Sequence, residues 1–459
     1  MKQKLLLTAA FIFLFIPQTF SQNNDSLIIR KLYNEALANG KAYGWLDYLS
    51  NNIGGRLSGS LQAAQAVKWG EMILGSIKTD RVFKQQCMVP HWVRGAKEKA
   101  YIVKGDSKTE VPVCALGNSI ATPKGGLTAE VVEVRSWDEL PKLGSAALKG
   151  KIVFYNFEWD QTKINTFDAY GQAVEPRWAG AQRAAPYGAV GVVVRSAASV
   201  HDNNPHTGSM GYIDSIPKIP ACAISTNAAD QLSRDLKFKS GVPVKFSFTQ
   251  NCEMLPDTVS FNVLAEIKGS EHPEEIITVG GHLDSWDTGH GAHDDGAGVV
   301  QSAEVLNLFK ALGLQPKRTI RCVFFMNEEN GGRGGKEYAE QAKKLNEKLI
   351  AAIETDAGGF VPRGFSFDGD SVKINKIRSW QKLFKPYNIY SWDGSGSGSD
   401  IGHLADQCPV LIGLSPDSQR YFEIHHTTAD TFDKVNQREL ELGAATMAAL
   451  VYLISEYGL

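Results

Sequence analysis

The chain has 459 residues, 43% hydrophobic and 21% charged, enough for a sizeable core, so one small module and long disorder are both excluded. Forty-eight basic residues face 50 acidic ones, a net charge of −2, and no Lys/Arg cluster interrupts that balance. The electrostatic footprint of a nucleic-acid binder is missing, and no nucleic-acid partner is expected.

At the start, Lys2 and Lys4 precede the apolar run Leu5 to Ile16, followed by Pro17, Thr19 and Ser21. This reads as a signal peptide over residues 1–21, cleaved near Ser21/Gln22, which makes the mature protein secreted or periplasmic. The apolar run is shorter than the roughly 20 residues a membrane-spanning helix needs, and no later segment supplies one, so no membrane partner is expected. Six scattered cysteines contain no C-x-x-C pair, which argues against a zinc ribbon, and their spacing specifies no disulfide bridge.

Helical periodicity runs from Ser26 to Leu49 and from Gln62 to Leu74, with the Gly/Ser-rich turn Gly54 to Ser60 between them. Near residue 120 the texture changes. Short β-type runs (Ala129 to Val134, Lys151 to Phe157, Ala189 to Arg195, Ala221 to Ser225, Val242 to Thr249) suggest a β-rich module inserted at 121–256 into a larger α/β domain formed by 22–120 and 257–459. The last part alternates strands at Phe261 to Ile267, Glu275 to Val279, Arg318 to Met326, Leu349 to Thr355 and Val410 to Leu414 with helices at Gly298 to Leu312, Gly335 to Leu345, near Ser379 to Leu383, and Gln437 to Tyr457. That pattern predicts a three-layer α/β/α domain with a mixed sheet, whose ligands bind beyond the carboxyl ends of the strands.

Those strand ends carry His282-Leu283-Asp284, His293-Asp294-Asp295, Glu328-Glu329, Asp356 and His425-His426. Imidazole nitrogen and carboxylate oxygen are zinc ligands, and two histidines with three carboxylates suffice for two zincs if one carboxylate bridges. The i, i+2 spacing of His282 and Asp284 on an extended chain would let Asp284 accept the imidazole N–H and fix its tautomer. Of the adjacent Glu328 and Glu329, one can bind metal while the other takes a proton from the attacking water. His290 and His293 read as cleft-lining or solvated side chains, and Asp287 and Asp295 as loop and helix caps.

These motifs, with Gly55 to Ser60, Val89 to Gly95 and Pro205 to Gly208, resemble the co-catalytic di-zinc exopeptidases that include bacterial leucine-type aminopeptidases and glutamate carboxypeptidases. The resemblance implies two Zn²⁺ per chain: His282 and Asp356 on one, His426 and Glu329 on the other, Asp294 bridging, and Glu328 as general base. It selects His426 over His425 because Asp430 and Thr431 follow at the family's spacing, and leaves His425 to contact the tetrahedral intermediate. It places Ser399 and Asp400, at the end of a Gly-rich turn, near substrate, and it suggests dimerisation. Leu148 to Val153 and Ile219 to Ala221 are similar to a protease-associated domain, which would act as a lid. The implied activity is hydrolysis of short peptides, dipeptides first, with trimming of longer peptides from the N-terminus as the rival and a non-catalytic binding protein as the remoter one.

Overall fold

Two mixed sheets of eight strands each organise the chain in the computed structural model, which describes residues 18–238 and 241–459. The expected leader lies, up to Pro17, outside the described residues. In the first sheet the spatial order is Arg81–Val93, Glu253–Ile267, Arg318–Phe325, His272–His282, Lys348–Glu354, Val410–Pro416, Pro362–Gly369 and Ser391–Gly394. The four strands from Arg318–Phe325 to Val410–Pro416 are mutually parallel. They are covered on both faces, which is why they read as nearly unbroken apolar runs such as Ile320 to Phe325.

Helices Ala297–Ala311 and Gln437–Tyr457 pack on one face through Val299, Leu306, Phe309, Leu450 and Ile454. Helix Arg333–Lys344 covers the other, with Tyr338, Ala339 and Ala342 against Val323 and Phe325. Each such large side chain, fully buried, contributes about 1.5–3 kcal/mol. Helix Ala297–Ala311 is buried nearly all round, so its polar residues need internal partners: Gln301 Nε2 donates to the Leu440 carbonyl at 3.0 Å, and Asn307 Nδ2 to Glu304 Oε1 at 3.0 Å.

The helix expected over Ser26 to Leu49 is two, Gln18–Asn39 and Ala42–Tyr48. The break falls at Gly40, where a Cβ would lie 2.3 Å from the Ala36 carbonyl oxygen, so a side chain there would collide with the end of the first helix.

The second sheet runs Ser107–Val111, Lys99–Lys104, Val244–Thr249, Leu127–Val134, Ile152–Tyr155, Gly191–Arg195, Ala221–Ile224 and Val113–Ala115. It is not purely β-type: Glu139–Leu148 and Glu175–Ala184 pack on one face and Thr226–Lys237 on the other. Its first three strands in chain order precede residue 121. The Gly/Pro-rich stretch Asn118 to Gly126 that marks the change of texture carries the chain from the edge strand Val113–Ala115 back into the sheet.

Two adjacent antiparallel strands of the first sheet form the stem of this unit, because Val93, where the chain leaves, pairs with Glu253, where it returns. Arg94, just past the stem, grips both sides. Its Nε donates to Asp287 Oδ2 at 2.9 Å and its Nη1 to the Ala115 carbonyl at 2.7 Å. All six cysteines are buried free thiols, and among the described residues no helix is long and apolar enough to cross a membrane.

Candidate metal centre

The parallel strands deliver their chemistry at one edge. His282 ends strand His272–His282; Asp356 follows Lys348–Glu354; Glu328 and Glu329 follow Arg318–Phe325; Asp294 lies in the loop before helix Ala297–Ala311; and His425 and His426 follow the short helix Tyr421–Ile424. Asp294 occupies the middle. Its Oδ1 lies 3.2 Å from His282 Nε2, and its Oδ2 lies 3.1 Å from His426 Nε2. Asp356 Oδ1 approaches His282 Nε2 at 3.5 Å on one flank, and Glu329 Oε2 approaches His426 Nε2 at 3.2 Å on the other. Glu328 Oε2 is 4.0 Å from His282 Nε2, and Glu328 is the most exposed carboxylate of the group. His425 stacks on His426 with ring centroids 3.5 Å apart and turns Nε2 toward Asp294 Oδ2 at 3.5 Å.

Burial sets the electrostatics. It pushes the Glu329 carboxyl up to about 8, with the Asp294 charge adding, and the Asp356 carboxyl up to about 6. Burial would strip the His426 imidazole of its proton, yet Glu329 and Asp294 hold it up at about 9. His282 likewise rises well above its ordinary value against its own desolvation, through Asp294 and Asp356. Carboxylates crowded in a dry site without Lys or Arg partners call for a cation, and imidazoles drawn toward protonation supply only part of that charge.

The donor set fits a divalent metal. Ligand atoms of His282, Asp294 and Glu329, of His282, Asp295 and Asp356, and of Asp294, His425 and His426 each fall within 4.8 Å of one another. Asp295 is already engaged: Oδ1 accepts the Gly298 N–H at 2.9 Å, capping the helix as expected, and Oδ2 accepts the His282 N–H at 3.0 Å. Asp294 Oδ2, by contrast, faces the imidazole nitrogens of His426 at 3.1 Å and His425 at 3.5 Å.

The sequence profile of peptidase family M28 matches residues 262–451, the stretch that carries all of these side chains. Carboxypeptidase Q of Mus musculus is 36% identical over 416 residues, covering 91% of this chain and 86% of that protein. The Rattus norvegicus protein of the same name is 37% identical, covering 91% and 85%. This chain belongs to peptidase family M28. It is a metallo-exopeptidase. A solved peptidase M28 precursor from Shewanella amazonensis shares the fold at a TM-score of 0.90, with 34% identity over 95% of this chain and 98% of that one. A zinc aminopeptidase from Bacillus subtilis shares the fold at 0.64, with 18% identity over 90% and 94%.

Within this M28 site, two expected contacts are corrected. His282 Nδ1 pairs with the backbone carbonyl of Asp284 at 3.0 Å, and the Asp284 carboxylate stands off at 3.9 Å. Its Oδ1 instead accepts the N–H groups of Asn327 at 2.7 Å and Glu328 at 3.1 Å, so Asp284 holds the glutamate-bearing loop. The chain is no longer in a regular strand past His282, so the alternation that would align the two side chains does not apply. Asp400 is the second correction. Ser399 lines the cavity beside the metal ligands, but the Asp400 side chain is buried inside, where its backbone nitrogen lies 3.4 Å from Glu354 Oε1 and its carboxylate has no hydrogen-bond partner. The turn faces substrate with one residue and the interior with the next.

His293 is neither cleft-lining nor solvated. It stacks on Phe360, and its Nδ1 accepts the Gly359 N–H at 3.1 Å.

Other residues build the site from farther along the chain. Asp430 accepts the N–H groups of His293 at 2.8 Å and Asp294 at 3.1 Å, holding the central carboxylate in place. Arg56 is fully buried and donates to the carbonyls of Leu283 at 2.6 Å, His290 at 2.9 Å and Gly291 at 3.0 Å, which clamps the loop between His282 and Asp294. Only the Gly-Gly-Arg-Leu-Ser pattern hinted at it. Ser58, two residues on, joins Asn327 and Asn330, accepting from Asn327 Nδ2 at 2.8 Å and donating to Asn330 Oδ1 at 2.9 Å. Finally, Phe167, Tyr170, Arg177 and Trp178 of the second unit close a cavity of about 540 Å³ over the centre, within the range of about 300–1,000 Å³ usual for ligand pockets.

Proposed function

We propose that this M28 enzyme is a two-zinc exopeptidase that hydrolyses short peptides, dipeptides with free termini first. His282 and Asp356 would hold one zinc, His426 and Glu329 the other, with Asp294 shared between them. The single observation that carries the reading is the Asp294 carboxylate, whose two oxygens address Nε2 of His282 and of His426 at nearly equal distances, 3.2 and 3.1 Å. When bound, zinc supplies Lewis acidity at the scissile carbonyl and acidifies water.

The chain's own groups do the rest. Glu328 is fixed at its backbone by Asp284 and opens onto the cavity, so its carboxylate takes the proton of the attacking water and returns it to the leaving amine. His425, buried on the cavity wall and held by stacking on His426, faces the carbonyl oxygen as negative charge develops there. Thr207 fixes His426, because its carbonyl accepts from Nδ1 at 3.2 Å and leaves Nε2 aimed at the carboxylates. The second unit acts as a lid of the protease-associated type: it contributes Phe167, Tyr170, Val174 and Trp178 to the cavity, excludes water, and limits substrate length. Export is part of the proposal, with leader removal near Ser21/Gln22, on the strength of the basic and apolar segments at the start of the chain.

The test is a panel of di-, tri- and tetrapeptides with free or blocked ends, assayed before and after chelation and zinc add-back. Zinc-dependent cleavage that falls steeply beyond dipeptides is expected. Equal rates on tetrapeptides would favour N-terminal trimming instead, and zinc-independent cleavage would overturn the proposal.

A further inference from the structure

The cavity carries charge of both signs, but unequally. Four carboxylates line it, while Arg177 is the one Lys or Arg among its described lining residues. Arg177 belongs to helix Glu175–Ala184 in the lid unit and reaches down beside the metal ligands, with Nη1 3.3 Å from the Thr207 carbonyl and 3.2 Å from His426 Nδ1. The same Nδ1 lies 3.2 Å from the Thr207 carbonyl.

Arg177 Nε is buried with no hydrogen-bond partner, and no Asp or Glu oxygen among the described residues comes within ion-pair distance of the guanidinium. Arg94, Arg195 and Arg321, also well buried, have carboxylate partners at 2.6–2.7 Å, and the fully buried Arg56 donates to three backbone carbonyls instead. Room for the guanidinium is built in. At Gly208, where φ is +140°, a Cβ would lie 2.4 Å from Arg177 Cζ. Tyr170 supports it from below, its ring centroid 5.6 Å from Cζ. On the same wall Asn118 donates through Nδ2 to Ser209 Oγ at 3.1 Å and accepts from Asn330 at 3.3 Å, which fixes a polar rim.

A guanidinium offers five donors in a planar fork that matches a carboxylate with two parallel bonds, and this one is placed in the substrate cavity with its Nε unpaired and no carboxylate partner among the described residues. We propose that Arg177 receives the free α-carboxylate of the substrate's C-terminal residue; the inference rests on the dipeptide reading above and supplies its physical basis. A residue just past the scissile bond can present its carboxylate to Arg177. In a longer peptide a neutral amide occupies that place and leaves the cation unpaired.

The experiment compares leucyl-leucine with its C-terminal amide on the zinc-loaded full chain and reads the ratio of the two kcat/KM values, with zinc content measured for every variant. The wild type should favour the acid by about 10- to 150-fold, the factor that a hydrogen-bonded charge commands. Arg177→Gln should bring the ratio toward one, and Arg177→Lys should restore part of it. A merely structural role would lower both substrates together and leave the ratio in place. A wild-type ratio near one, or an unchanged ratio in Arg177→Gln, overturns the inference while the exopeptidase reading stands. No hydrolysis of either compound by the zinc-loaded wild type overturns that reading and this inference with it. The wild-type ratio needs no variant, so a misfolded substitution does not remove the test.

Discussion

Replacing Asp284 distinguishes a residue that holds a loop from one that orients an imidazole. Its Oδ1 accepts two buried backbone N–H groups, at 2.7 Å from Asn327 and 3.1 Å from Glu328, and the side chain is completely buried. Asp284→Ala removes that acceptor and leaves two buried donors unpaired, at about 1–3 kcal/mol each, so the zinc-free protein should lose about 2–6 kcal/mol of unfolding free energy. Asp284→Asn keeps a carbonyl oxygen in the same place. Burial already pushes the Asp284 carboxyl above its ordinary range, so removing the charge also relieves a desolvation cost. That variant should stay within about 1.5 kcal/mol of wild type, the size of one ordinary hydrogen bond. The assay is urea unfolding of chelated protein, so that metal binding does not enter, together with zinc content of the reconstituted variants. Equal losses of stability and zinc for Asn and Ala would refute the loop-holding role and return Asp284 to the imidazole.

Glu328→Ala should lower kcat by about 10²- to 10⁴-fold, the usual range for general acid-base catalysis, with zinc content nearly unchanged. Parallel loss of zinc would contradict its assignment as a base and make it a ligand. Away from the site, burial with the neighbouring Glu441 charge pushes the Glu304 carboxyl up to about 8, and burial pushes Glu441 up to about 7. The folded chain therefore holds these protons more tightly than the unfolded one. The pair's contribution to stability is complete below about pH 4.5 and is lost as pH rises to about 8. Glu441→Gln should flatten the fall in Tm across that window, and an unchanged slope would count against the reading.

Residues at strand ends are the legible part of the site. His282, Glu328, Glu329 and Asp356 come at the ends of apolar runs long enough to identify as buried parallel strands, and such strands bring their carboxyl-terminal residues to one edge of the sheet. Strand Arg81–Val93 is not legible: it lies at the sheet edge, exposed along much of its length, so no apolar run announces it. The second unit starts earlier than its composition suggests for a related reason, since Ser107–Val111 is mostly exposed and the Gly/Pro signal at Asn118 to Gly126 marks a connection inside the unit. Arg56 acts on backbone carbonyls more than 220 residues away, and backbone partners leave no pattern in side-chain identity; Asp430 is legible through its spacing from His426, but its N–H partners more than 130 residues away are not. Asp400 shows the remaining difficulty, because composition locates a turn but not which of its residues faces inward.

The central claim is that Asp294 sits between two metals, and zinc stoichiometry tests it most directly. Titration of chelated protein with zinc, followed by elemental analysis, should give two per chain for the wild type and fewer than two for Asp294→Ala, in which both positions lose a shared ligand. One zinc per chain at saturation in the wild type, or two retained in Asp294→Ala, would contradict it.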